Sequence, residues 1–167
     1  MILDIILYPD ERLKEESLPV ELFDDEFQTF VDDLEETRLA GPGAVGIAAA
    51  QVGRFQRVAI VDVSNMRKPV ENHGYMVLVN PEIIAWDDYE IGREGCLSVP
   101  DFTGNVIRAT AITLKAQDRY GEYHEYKMKG FEARAVQHEL DHLDGRLFLD
   151  RVVSRTTDLF KRKTYKK

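Results

Sequence analysis

The chain has 167 residues, 44% of them hydrophobic and only one a cysteine, so it can bury a core and cannot form an internal disulfide. Its net charge is −8; residues 151–167 hold seven Lys/Arg against Asp158, a local +6, which leaves −14 (−8 minus +6) for the rest. Such an acidic body argues against general nucleic-acid binding, DNA included, and no apolar run approaches the ~20 residues of a membrane span.

Asp4 interrupts the first apolar residues, so no basic-then-apolar leader is read there and a cytoplasmic, reducing location is expected. Phe23, Phe27, Phe30, Val31 and Leu34 recur at helical spacing, and Gly41-Pro42-Gly43 stops that helix. The aromatic positions read as core rather than as a ligand surface. Residues 57–63, 76–79 and 106–116 read as strands; in the last, Ile112, Leu114 and Ala116 alternate with Thr113 and Lys115. Pro100 is expected to limit any strand near it. Asp118-Arg119-Tyr120-Gly121 marks a hairpin turn, followed by a strand over residues 123–127. A second helix is expected from about Phe131 to Leu143, with Gly145 past its end, and a short terminal helix over residues 158–163. Without repeats, low-complexity tracts or linkers, the chain reads as a single α+β domain over residues 1–167, of which about 151–167 is a basic tail or short helix. Lys161, Arg162, Lys163, Lys166 and Lys167 offer a weak, salt-sensitive contact to an anionic partner such as the ribosome. A frayed, solvated terminus is the other reading of that tail.

The second helix carries the chemistry, in Gln137-His138-Glu139-Leu140-Asp141-His142. Histidines four apart project from one face, so both imidazoles can reach one metal ion. Glu139 stands about 100° round from His138, beside such a metal without binding it, where hydrolysis needs a base. The alternative is a solvated helix face that happens to contain the spacing; the intervening Glu and the apolar Phe131, Ala135, Leu140 and Leu143 speak against it. Two histidines are too few, because sites of this class take three protein ligands. A zinc-protease pattern that fits as far as Gly145 then meets Phe148 where it requires histidine, and Glu139 is the last Glu in the chain. Asp150 and Asp158 are weak downstream options, while His73 and His124 lie in turn-like, polar contexts. Cys96, in Glu94-Gly95-Cys96-Leu97-Ser98, is the best third ligand, and thiolate with two imidazoles suits zinc or ferrous iron. A cysteine nucleophile paired with one histidine would leave the second histidine and Glu139 without roles. A third segment, Gly46-Ile47-Ala48-Ala49-Ala50-Gln51, places one amide in an apolar run, and Gln51 could donate to a developing oxyanion.

These three segments, in this order and spacing, resemble the motifs of peptide deformylases, and Ile6-Leu7-Tyr8-Pro9-Asp10-Glu11-Arg12-Leu13 resembles that family's N-terminal segment. The resemblance covers nearly the whole chain. It implies a central metal-binding helix packed against antiparallel β-sheets, and an enzyme that removes the formyl group from the initiating methionine of new proteins. It further implies that Cys96, His138 and His142 bind one divalent metal, Fe2+ before Zn2+, Ni2+ or Co2+. Glu139 would handle the proton, and the amide of Gln51 and the backbone N–H of Leu97 would polarise the formyl oxygen. Gly46, Glu94 and Gly95 would hold the substrate backbone, and Val45, Phe131 and Arg134 would shape the methionine pocket. The partners implied are N-formyl-methionyl nascent peptides, met by a monomer. The chain departs from the family pattern at Ala44, where a glycine is usual, and in Asp101-Phe102-Thr103-Gly104, which lacks an arginine that many members carry. Other readings are a zinc endopeptidase, a relative acting on a different N-acyl group, and a non-catalytic metal-stabilised module.

Overall fold

The computed structural model describes residues 1–162. Two helices, α1 (Asp25–Ala40) and α2 (Gly130–Leu143), pack on one antiparallel sheet of β1 (Gly46–Ala48), β2 (Val58–Val61), β3 (Met76–Cys96), β4 (Val99–Gln117) and β5 (Tyr123–Lys129), in that order. A sixth strand, β6 (Leu159–Lys161), pairs with β4.

The sheet is covered on both faces, which explains why β2 is an unbroken apolar run rather than an alternating one. Val58 and Ile60 of β2 and Val77 and Val79 of β3 turn toward α1, among Phe27, Phe30, Val31 and Leu34. Their neighbours Val61, Met76 and Leu78 turn the other way, toward Ala133, Val136 and Leu140 of α2 and Ile112 and Leu114 of β4. Helix α1 begins at Asp24, whose side chain accepts from Phe27 N. It ends at Gly41, held extended (ψ 130°) ahead of Pro42. Helix α2 opens at Gly130 (φ 61°) and is followed by Gly145 (φ 73°), where an L side chain is disfavoured.

Three expectations need correction. Residues 159–161 form β6 rather than a helix: Lys161, Phe160 and Leu159 pair with Phe102, Thr103 and Gly104, and Arg162 N donates to Asp101 O. The tail up to Arg162 is therefore docked, not frayed; Lys163, Lys166 and Lys167 lie outside the described residues. Strand β3 runs on from residue 79 to Cys96, through Ile84–Ile91, which are exposed. With no buried face there is no period-two signal to read, and positive φ at Asn80 accompanies the register shift between Val79 and Glu82. Pro100 does not limit a strand but sits near the start of β4, where Cys96 pairs directly with Val99. The two other histidines are both exposed: His124 on the β4–β5 hairpin, and His73 tied by its backbone N (2.7 Å) and Nδ1 (2.6 Å) to Glu132 of α2.

Candidate metal centre and catalytic cleft

The solvated-face reading of α2 fails on burial. Glu132, Glu139, Asp141 and His142 are all under 6% exposed. Charged groups persist in such places only when partnered. The helix is aimed so that His138 and His142 meet Cys96, delivered by the tight β3–β4 connection Leu97-Ser98. The available donor atoms of Cys96, His138 and His142 lie within 4.8 Å of one another, and Cys96 Sγ stands 3.3 Å from His142 Nε2. Among the described residues one other such group occurs, Asp118, Glu122 and His124, at the exposed hairpin. Asp150 and Asp158 are engaged elsewhere, with Leu147 N and the Asn105 amide.

The surroundings fit a metal of borderline softness. His138 Nδ1 is held 2.9 Å from Glu94 Oε1, which fixes the ring and directs Nε2 toward the thiol. Burial opposes charging His138, but hydrogen bonds from Cys96 and Glu94 outweigh it and push its pKa well up. Burial, and then the neighbouring His138, drives His142 well below the usual histidine range, into the neutral form that lends a lone pair to a metal. Thiol and two imidazoles crowded together with no other task match the ligand preference of zinc or ferrous iron.

Two groups aim chemistry at this point. Gln51 lies in the 3-10 turn Ala49–Val52, closed by Gly53 (φ 82°), and is 1% exposed. Its Oε1 accepts from Ala48 N (3.0 Å), so the amide NH2 must face the site, where it reaches Ser98 Oγ (3.1 Å) and Cys96 Sγ (3.4 Å). Glu139 turns to the other side, onto Gly46, where a Cβ would come within 2.8 Å of its Oε2. Burial pushes the Glu139 carboxyl up to about 7, so it can exchange a proton near neutrality.

A cleft of about 810 Å³ opens over these groups, and its walls hold Val45, Gly46, Gly95, Leu97, Phe131 and Arg134. Gly46 belongs to β1, at the end of the sheet order, so one strand edge is open to an extended peptide. Ala44 leaves the loop intact: Gly43 takes the positive φ (68°), and Ala44 O accepts from Arg38, itself held by Glu35.

The Glu94 side chain is committed within the protein, which leaves its backbone for a peptide. Its oxygens accept from Arg108 Nε (2.9 Å) and Nη2 (2.8 Å), Arg134 Nη1 (2.8 Å) and His138 Nδ1 (2.9 Å). Burial alone would raise its pKa; Arg108 and His138 instead hold it far below the usual carboxylate range. Arg134 is likewise engaged, with Glu94 and the carbonyls of Glu90 (2.7 Å) and Val106 (2.9 Å), so only its aliphatic stem is left for a pocket wall. Sequence reasoning gave no role to Ser98, Arg108 or Asp141. Asp141 bonds Arg108 Nη1 and Arg151 Nε, each at 2.6 Å, joining the helix to β4. A buried arginine midway along a strand was the available signal. The N-terminal segment braces the site from outside, through Ile6 N to Gln51 O and Tyr8 N to Ser98 O, both 2.7 Å.

A family profile described as Polypeptide deformylase matches residues 2–158. A peptide deformylase of Syntrophobacter fumaroxidans is 42% identical over 99% of this chain and 95% of its own. One from Wolinella succinogenes is 43% identical over 99% and 94%. Among solved structures, a peptide deformylase from Legionella pneumophila superposes with a TM-score of 0.85 at 38% identity, over 93% of this chain and 88% of that one. A Met-Ala-Ser-bound class I type b peptide deformylase from Acinetobacter baumannii gives 0.85 at 37% identity, over 91% and 99%.

Proposed function

The chain belongs to the peptide deformylase family, metal-dependent hydrolases that remove the formyl group from the N-terminal methionine of nascent peptides, and from that premise we propose how its own residues divide the work. The observation that carries the assignment is the meeting of Cys96, His138 and His142 donors within 4.8 Å, flanked by the Gln51 amide and the Glu139 carboxyl in one cleft.

Cys96, His138 and His142 would hold one divalent cation, Fe2+ by preference, with Zn2+, Ni2+ or Co2+ able to substitute. A cation there would polarise the formyl oxygen and lower the pKa of a water toward neutrality. Glu139 takes a proton from the attacking water and delivers it to the leaving amine, so formate and a free N-terminal methionine result. Gln51 Nε2 and the Leu97 N–H donate to the oxygen that gains charge. Glu94 acts through His138, as a positioning residue. Gly46 and Gly95 offer backbone groups to the peptide, while Val45, Phe131 and the stem of Arg134 line the methionine pocket. The Met-Ala-Ser occupant of the Acinetobacter relative supports a peptide running along that cleft.

The single domain over residues 1–167, a monomeric state and a cytoplasmic site of action belong to the same proposal. No described helix is long and apolar enough to cross a membrane. A weak ribosome contact through Lys161 and the lysines beyond it completes the reading. The test compares formyl-Met-Ala-Ser, acetyl-Met-Ala-Ser and an unblocked peptide with anaerobically prepared protein. Formate release from the first alone is expected; comparable rates on the acetyl peptide, or internal cleavage, would overturn the assignment.

A further inference from the structure

Strand β6 carries Arg162 onto the rim of the catalytic cleft. The Arg162 backbone is fixed by its bond to Asp101 O (2.7 Å), and the strand is clamped by Arg93, whose guanidinium lies 3.9 Å over the Phe160 ring. The Arg162 guanidinium covers Gly95, where an added Cβ would collide with it. Arg93, Gly95 and Arg162 are all exposed and all line the cleft, as does Arg67.

These arginines differ from the other two in the cleft wall. Arg38 is spent on Glu35 and Arg134 on Glu94. Among the described residues no ion pair engages Arg67, Arg93 or Arg162. Asp62 is the one acid at the same rim, and Ser64 binds its Oδ1 through N (2.9 Å) and Oγ (2.5 Å). Glu94 and Glu139 lie buried below. A protein of net charge −8 thus presents, at the mouth of this cleft, three guanidiniums without an ion pair among the described residues against one carboxylate. A cationic cleft mouth concentrates anionic substrate, and a guanidinium offers a carboxylate two parallel N–H donors.

We propose that Arg162, with Arg93 beside it, recognises an acidic side chain of the peptide downstream of its formyl-methionine. This specificity role rests on the deformylase reading above. It also assigns Arg162 to substrate rather than to a tail that reaches for another partner.

The test uses the metal-loaded full chain and an amidated formyl-Met-Ala-Ala-Ala host carrying one Glu, or one Gln, at the second, third or fourth position. At one of those positions the Glu peptide should show a kcat/KM roughly fivefold above the Gln peptide at low salt, mainly through KM, and the advantage should shrink as salt rises. Arg162→Gln should bring that ratio near one, and Arg162→Lys should restore part of it. Lys115→Gln, which removes one positive charge far along β4, should leave the ratio as it was. Equal rates on Glu and Gln peptides in the unaltered protein, or an undiminished ratio in Arg162→Gln, would overturn the proposal. A response confined to a free C-terminal carboxylate would overturn the side-chain assignment. Formate from the neutral host reports separately on the deformylase reading; its absence would sink both.

Discussion

Arg108 is the perturbation that most directly tests whether a buried charge network holds this site. It is 4% exposed and donates to Glu94 at 2.9 and 2.8 Å and to Asp141 at 2.6 Å. Arg108→Met keeps much of the volume and removes the charge, leaving two buried carboxylates short of a partner. Removing one side of a buried pair costs about 3–5 kcal/mol. The loss here is cushioned, because Glu94 keeps Arg134 (2.8 Å) and His138 (2.9 Å), and Asp141 keeps Arg151 (2.6 Å). That argues for the lower end, about 3 kcal/mol. In a chain of this size each kcal/mol moves the melting temperature by about 2–4 °C, so a fall of roughly 6–12 °C is expected. Thermal unfolding should be followed on metal-loaded and on chelator-treated protein, since the charge network does not require the metal and both forms should lose stability. Metal affinity should also weaken, by about 10–100-fold, because Glu94 can then swing and release the His138 ring. A melting temperature within about 2 °C of the unaltered protein in both forms would refute the reasoning.

Cys96→Ala, His138→Ala and His142→Ala should each lose the bound metal on elemental analysis, because three ligands leave no redundancy. Glu139→Gln should keep the metal and lose most turnover; an empty site in that variant would make the glutamate a ligand. Gln51→Leu should retain metal while kcat falls about 10²–10³-fold, the cost of one oxyanion donor, and a change confined to KM would count against that role. Gly46→Ala places a methyl 2.8 Å from Glu139 Oε2, and the displaced base should lower kcat about 10²-fold with the fold intact by circular dichroism.

The Cys96–His138–His142 cluster was legible because helix geometry converts a spacing of four into a shared face, and a lone cysteine left little choice of third donor. Gln51 was legible for a related reason: one amide in an apolar run has to find partners, and Ala48 N, Ser98 and Cys96 are those partners. What could not be read was supplied by distant chain. Nothing local to Glu94 announces that Arg108 and Arg134, 14 and 40 residues on, would consume its carboxylate. Residues 159–161 are too few to show a strand alternation; their conformation is set by the open edge of β4 beside them. The exposed length of β3 was missed because period-two reasoning needs a buried face, and from Ile84 to Ile91 there is none.

The buried polar groups of α2 show where the protein completes itself and where it does not. Glu132 is satisfied by His73, and Asp141 by Arg108 and Arg151. Glu139, 2% exposed on the same helix, has no hydrogen-bond partner among the described residues; the neutral His142 ring stands 3.9 Å away through Nε2. Burying a carboxyl without a partner costs several kcal/mol in its charged form, which is why it is driven up to about 7. A cation held at Cys96, His138 and His142, with a water beside it, would meet that demand from outside. The helix thus carries two kinds of buried acid. Asp141 is answered by the arginine that also binds Glu94 and so steadies His138, whereas Glu139 is left unanswered, as the proposed base would be.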